Sequence, residues 1–147
     1  MAPELIPSIL LQDETNVRER LTSLEGLINW VQLDILDNTL YQNTTWAKPE
    51  VIKNWNLACK IELHLMVADP KKHIDAWKDV PSFGRAIWHI EADIDHHALI
   101  QHVRTLGKQV GLSIAPETSV EKLNPYLPLI DRVLVLGVTP GWSGQAM

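Results

Sequence analysis

In Trp30-Val-Gln-Leu-Asp-Ile-Leu36, Val31, Leu33 and Ile35 alternate with Gln32 and Asp34. Lys60-Ile-Glu-Leu-His-Leu-Met-Val67 repeats the pattern, with Ile61, Leu63, Leu65 and Val67 set against Glu62 and His64. Side chains alternate along a strand, so each segment reads as a strand with one apolar face and a polar pair on the other. A carboxylate and an imidazole on the inward faces of two strands are costly to bury. They are worth burying where they bind a metal or move a proton.

On either side of these segments the chain alternates apolar runs with helical stretches. The remaining expected strands are Leu5–Leu10, Ala86–Glu91, Gln109–Ala115 and Arg132–Val138. Expected helices cover Glu14–Asn29, Pro49–Asn56, Pro70–Trp77, His96–Leu106 and Ser119–Leu127. Asp69-Pro70 places an N-cap before a first-turn proline. Thr118-x-x-Glu121 reads as a capping box, and Gly107 stands where a helix should stop. Strand starts recur every 23 to 30 residues, the length of one strand-helix unit. Repeated βα units build parallel sheets with right-handed crossovers. Several strands carry polar residues on one face near their C-terminal ends, which favours a closed barrel over an open doubly wound sheet.

The expectation is therefore an α/β fold of the (β/α)8 TIM-barrel type with only about six βα units present. The chain stops at Met147, directly after Thr139-Pro-Gly-Trp-Ser-Gly-Gln145. Two further units would bring it to about 200 residues, the short end for such barrels. Residues 1–147 read as a single, C-terminally incomplete barrel domain, with no linker or low-complexity tract.

Composition narrows the function classes. Hydrophobic residues make up 46 % of the chain, enough for a real core. The net charge of −5 and the lack of a basic block argue against nucleic-acid or anionic-membrane partners. Cys59 is the single cysteine, which rules out an intramolecular disulfide or a cysteine-built zinc cluster. No signal sequence or membrane span is legible, so a cytoplasmic protein is expected.

Ser8 falls at the end of the first strand, Asp34 and His64 at the ends of the next two, and His89 on the fourth. Singly, each has an ordinary structural explanation. Together they put four polar side chains on one rim. Asp and His both ligate zinc, iron, cobalt or manganese, and a carboxylate can double as a base. A metal beside a carbonyl stabilises an enediolate and makes the neighbouring carbon acidic. The loop Pro140-Gly-Trp-Ser-Gly-Gln145 offers backbone N–H groups that could hold a phosphate, and Trp142 in it could contact a ligand. His73, His96, His97 and His102 lie on expected helices and read as a solvated face.

In this order the segments resemble the ribulose-phosphate 3-epimerase family. Pro7-Ser-Ile-Leu10 is similar to its first-strand motif, and Val31-Gln-Leu-Asp-Ile-Leu-Asp37 to its second, approximately H-x-D-x-M-D-G. Glu62-Leu-His-Leu-Met-Val67 followed by Asp69-Pro70 resembles the third. Trp88-His-Ile-Glu-Ala92 resembles F-H-x-E-A, and Val133 to Gln145 resembles the motif ending P-G-F-G-G-Q. The resemblance implies a ribulose-phosphate-binding barrel, one divalent metal ion (zinc, iron, cobalt or manganese) and a small-molecule sugar-phosphate substrate. It implies epimerisation at C3 of a pentulose 5-phosphate, interconverting ribulose and xylulose 5-phosphates in the pentose phosphate pathway. By the same resemblance Asp34 is a catalytic proton carrier and metal ligand, and His64 is a metal ligand in contact with substrate. Ser8 contacts substrate, and Gly141, Trp142, Ser143 and Gly144 lie near its phosphate. Leu36, Met66 and His89 line the site. Dimerisation is common in the family, which leaves room for a homo-oligomer.

The departures from the family pattern are specific. Gln32 stands where the family has a metal-binding histidine and offers, as a third ligand, only a neutral amide. The family's D-G-H-F-V-P-N becomes Asp37-Asn-Thr-Leu-Tyr-Gln-Asn43, losing a glycine and a proline. The second catalytic aspartate belongs to a seventh strand, so the chain is expected to be a fragment with little activity alone. The alternative is a non-catalytic relative that binds a sugar phosphate or a partner. A different phosphate-binding barrel enzyme, such as a decarboxylase, fits the His64 and Pro7-Ser8 motifs less well.

Overall fold

The computed structural model describes residues 3–146. Its strands are β1 (Ser8–Ile9), β2 (Trp30–Ile35), β3 (Lys60–Leu65), β4 (Phe83–His89), β5 (Gln109–Ile114) and β6 (Arg132–Val135). Between them run the helices α1 (Glu14–Leu24), α2 (Pro49–Ile52), α3 (Pro70–Trp77) and α4 (His96–Thr105). All neighbouring strands pair in parallel, in the order β1-β2-β3-β4-β5-β6. Sequential order with a crossover after each strand is the wall of a TIM-type barrel, with six strands of it present among the described residues. None of the described helices is long and apolar enough to cross a membrane.

The alternation legible in the sequence sorts the strands into two faces. Val31, Leu33, Ile35, Ile61, Leu63, Leu65, Ala86, Trp88, Val110, Leu112 and Ile114 join one buried apolar cluster with Val17, Leu21, Ile74, Trp77, Leu99 and Val103 of the helices. The other face carries Gln32, Glu62, Arg85 and Gln109 in register as one layer, with Asp34, His64 and Ile87 in the layer above. This is the inner face of the barrel wall.

The N-cap expected at Asp69 forms, and Asp95 supplies another that the sequence reading did not name. Asp69 accepts from Lys72 N, and Asp95 accepts from Ala98 N at 3.0 Å. Gly107, at φ 69°, follows the end of α4. Elsewhere the boundaries move. The expected helix Glu14–Asn29 stops at Leu24, two residues before Gly26, which takes φ 75°. Pro49–Asn56 shortens to Pro49–Ile52, and Asn56 turns left-handed at φ 45°. The expected helix Ser119–Leu127 is instead two short 3₁₀ turns, Val120–Leu123 and Leu127–Leu129. Pro125 and Pro128 withhold N–H donors there. The capping box expected at Thr118 does not form: Ser119 holds the N-cap position and makes no side-chain cap bond. β1 and β6 are shorter than expected. β4 starts three residues earlier, at Phe83, and so includes Arg85.

Candidate active site

Asp34 and His64 are register partners on β2 and β3, which sets them side by side near the C-terminal ends of both strands. Their side chains are buried, and His64 Nδ1 lies 2.9 Å from Asp34 Oδ1. Gln32 Nε2 donates to the same Oδ1 at 2.8 Å. The Thr45 hydroxyl donates to the Asp34 carbonyl at 2.7 Å and accepts from Leu36 N at 3.0 Å, pinning the backbone behind the carboxylate. On the far side of His64, Nε2 meets His89 Nε2 at 3.0 Å.

His89 is fully buried on β4. Burial, followed by the neighbouring His64, pulls its imidazole down to about 4, so at neutral pH the ring is uncharged. Its Nδ1 donates to Glu91 Oε2 at 2.9 Å, and the Tyr41 oxygen lies 3.2 Å from the same nitrogen. Burial alone would raise the Glu91 carboxyl. Hydrogen bonds from Thr118, the Ala115 amide and His89 outweigh it and hold the group below its ordinary value. Burial and the charges of Glu91 and Glu117 push Tyr41 up to about 12, so its phenol keeps its proton. Ser113, beside His89 in the β4–β5 register, is fully buried, and its hydroxyl has no partner among the described residues.

The segment Asp37–Asn43 holds its shape without the family's glycine. Asn38 takes φ 65°, a conformation Asn tolerates. Thr39 N bonds Asp37, and Ala68 N bonds the Thr39 hydroxyl at 2.9 Å, which ties the segment to the loop after β3. At its other end Asn43 Nδ2 donates to Gly141 O at 2.8 Å. Gly141 sits at φ 113°, and a Cβ there would come within 3.1 Å of Gln42 O. The glycine loop after β6 is thus docked on the loop after β2, at the same rim.

The structure therefore brings Asp34, His64, Gln32 and His89 into contact. Leu36 and Met66 are buried at the ends of β2 and β3. Ser8 is in register with Gln32 on the inner face, at the exposed edge of the sheet. Gly141 is buried by its docking, whereas Trp142, Ser143 and Gly144 are exposed. Sequence reasoning missed Tyr41, Thr45, Glu91 and Ser113 as parts of the rim. Only Glu91 had a signal, its place two residues after His89. His96, expected on a solvated face, is buried and accepts from Trp88 Nε1 at 3.1 Å.

Among the described residues no group of three or more His, Cys, Asp and Glu side chains converges as a metal centre. Asp34 and His64 nevertheless bring a carboxylate oxygen and an imidazole nitrogen to one point, with the Gln32 amide beside them. Those donor types suit zinc, iron, cobalt or manganese. By donor type, Asp34 and His64 are the residues that could hold such an ion.

The sequence profile described as the ribulose-phosphate 3 epimerase family matches residues 4–147. A ribulose-phosphate 3-epimerase of Treponema pallidum is 36 % identical over 97 % of this chain and 66 % of its own length. One of Chlamydia pneumoniae is 32 % identical over 95 % of this chain and 62 % of its own. One of Synechocystis is 29 % identical over 95 % of this chain and 62 % of its own. The chain thus spans less than two thirds of the length of these relatives. The six sequential parallel strands, the Asp34–His64 pair at their rim and the profile match over nearly the whole sequence agree: the chain belongs to the ribulose-phosphate 3-epimerase family.

Proposed function

We propose that the protein containing this six-stranded barrel wall epimerises a pentulose 5-phosphate at C3. The observation that carries the reading is the buried Asp34–His64 pair near the C-terminal ends of β2 and β3, the end where TIM-type barrels place their chemistry. In this reading Asp34 removes the C3 proton from one face of the sugar. Thr45 and Gln32 hold its backbone and one carboxylate oxygen, so the base is oriented before substrate arrives. Asp34 and His64, with the Gln32 amide beside them, would hold a divalent metal. Such an ion stabilises the negative oxygen of the enediolate when bound. Leu36 and Met66 form an apolar floor that excludes water. Ser8 contacts the substrate, and Gly141, Trp142, Ser143 and Gly144 lie toward its phosphate. The resemblance assigns return of the proton on the opposite face to an aspartate on a seventh strand, so turnover belongs to the whole protein.

The test is solvent deuterium uptake at C3 of ribulose 5-phosphate, followed by proton NMR with the full-length protein. The expected result is uptake that requires Asp34 and falls at least about 100-fold in Asp34→Asn, as for loss of a general base. Gln32, which donates to Asp34 where the family pattern has a metal-binding histidine, motivates a second reading, a relative that binds sugar phosphate without catalysis. Saturable binding of ribulose 5-phosphate with no deuterium uptake would favour that reading.

A further inference from the structure

The segment Asp37–Asn43 is anchored along its length. His73 Nε2 lies 3.1 Å from Asp37 Oδ2, Ala68 N donates to the Thr39 hydroxyl at 2.9 Å, and Asn43 Nδ2 donates to Gly141 O at 2.8 Å. Between these anchors Tyr41 extends its ring to the end of β4. The ring meets His89 edge-on, with centroids 4.9 Å apart and planes at 65°. The phenol oxygen lies 3.2 Å from His89 Nδ1. At the root of the side chain, Tyr41 Cβ lies 3.8 Å from the point where a Cβ on Gly141 would stand.

Tyr41 therefore bridges two parts of the site. Its root touches the glycine loop, which faces the phosphate in the epimerase reading. Its tip touches His89, whose Nε2 is 3.0 Å from His64 Nε2 beside Asp34. In a pentulose 5-phosphate, C4 is the carbon between the reacting C3 and the phosphorylated C5. With C3 at Asp34 and the phosphate at the glycine loop, C4 lies opposite the phenol. A phenol oxygen donates one hydrogen bond and accepts others. Among the described residues its hydrogen-bond neighbour is His89 Nδ1, at a longer distance than the 2.9 Å between that nitrogen and Glu91 Oε2. Whichever atom carries the hydrogen between Tyr41 and His89, the oxygen keeps a further bonding direction. A sugar hydroxyl both donates and accepts, so it can use that direction in either case.

We propose that Tyr41 is a substrate contact that reads the C4 hydroxyl of the pentulose 5-phosphate. The proposal rests on the epimerase reading and deepens it by naming a group that selects the sugar. C4 keeps its configuration while C3 inverts, so one contact serves both epimers and steadies the sugar during proton transfer. A site that hydrogen-bonds a substrate hydroxyl discriminates against an analogue that lacks it. The family pattern D-G-H-F-V-P-N has no tyrosine in this segment, so the contact belongs to this chain.

The experiment follows deuterium uptake at C3 by proton NMR with the full-length protein, on ribulose 5-phosphate and on its 4-deoxy analogue. Tyr41→Phe keeps the ring against His89 and removes the hydroxyl alone. It is expected to lower kcat/KM about 10-fold on ribulose 5-phosphate, mainly through a raised KM. The wild type should lose at least as much on the 4-deoxy analogue. There Tyr41→Phe should cost nothing further, because both partners of the contact are already gone. Equal losses from Tyr41→Phe on both sugars would overturn the proposal, since the hydroxyl would then serve only to hold His89 or the segment. No loss on ribulose 5-phosphate would overturn it as well. A wild type that takes up no deuterium from ribulose 5-phosphate would overturn the epimerase reading and this proposal with it.

Discussion

Trp88 Nε1 donates to His96 Nδ1 across 3.1 Å, and the bond lasts only while that nitrogen keeps its lone pair. Burial is the main cause that lowers the His96 pKa, with His97 adding to it. The Ile90 and Ala92 backbone and Asp95 oppose the shift without cancelling it. A histidine lowered in the folded state binds fewer protons there than in the unfolded chain. Its contribution to stability is therefore complete above the unfolded value, about 6.5, and is lost as the pH falls below it. His89, lowered to about 4 with burial the first cause, acts in the same direction. Urea midpoints followed between pH 7.5 and 5 should fall, and His96→Gln should flatten that slope while lowering stability at pH 7.5. An unchanged slope in the variant would contradict this assignment. At this scale Asp34 and His64 were legible because a two-residue period puts them out of phase with the apolar residues. His96 was not. Adjacent histidines on a helix give no sign of which one faces in, and only the packing of Trp88 decides it. Tyr41, Thr45 and Ser113 were invisible for a related reason, since their roles depend on contacts between segments far apart in sequence.

The strands were the more legible elements, because alternation survives errors of a few residues at their ends. Strand β4 shows what such an error can hide. Pro81-Ser-Phe-Gly84 looks like a turn, yet Gly84 is inside the strand because the Trp30 ring lies against it. A Cβ there would come within 2.7 Å of Trp30 Cη2. Starting the strand at Phe83 brings Arg85 onto the inner face. There its guanidinium bonds Glu62 and Gln109 and lies 4.2 Å from the Trp30 ring centre. The out-of-phase Glu62, which the sequence set beside His64, is thus neutralised one layer below the rim. Both partners are buried. Removing one leaves the other charged and unpaired, so Arg85→Met should cost about 3–5 kcal/mol of unfolding free energy. Replacing both, Glu62→Leu with Arg85→Met, should recover most of it. Urea titrations of the two variants check this, and additive losses would show that the pair is uncoupled. The helix expected over Ser119–Leu127 failed for a local reason. No side chain caps its first turn, and its two prolines interrupted what followed.

For the whole molecule, sequential parallel order leaves β1 and β6 each paired on one side among the described residues. The outer face of the first five strands is sealed against helices, whereas Val135 on β6 is 67 % exposed. Such an edge offers unpaired backbone groups beside an apolar side chain, and edges of this kind pair with whatever strand is available. In a longer protein of this family, the neighbouring units of the barrel wall are the natural partners for both edges. Expressed alone, the 147-residue chain should find a substitute in another copy of itself. Light scattering coupled to gel filtration is expected to give an apparent mass that rises with loading concentration. Val135→Lys should bring it back toward the monomer, because a lysine on an edge strand blocks pairing. The substitution lies on the outer face of β6, away from the Asp34–His64 pair, so that arrangement should persist. A mass independent of concentration in both proteins would mean that the two edges are satisfied without a partner.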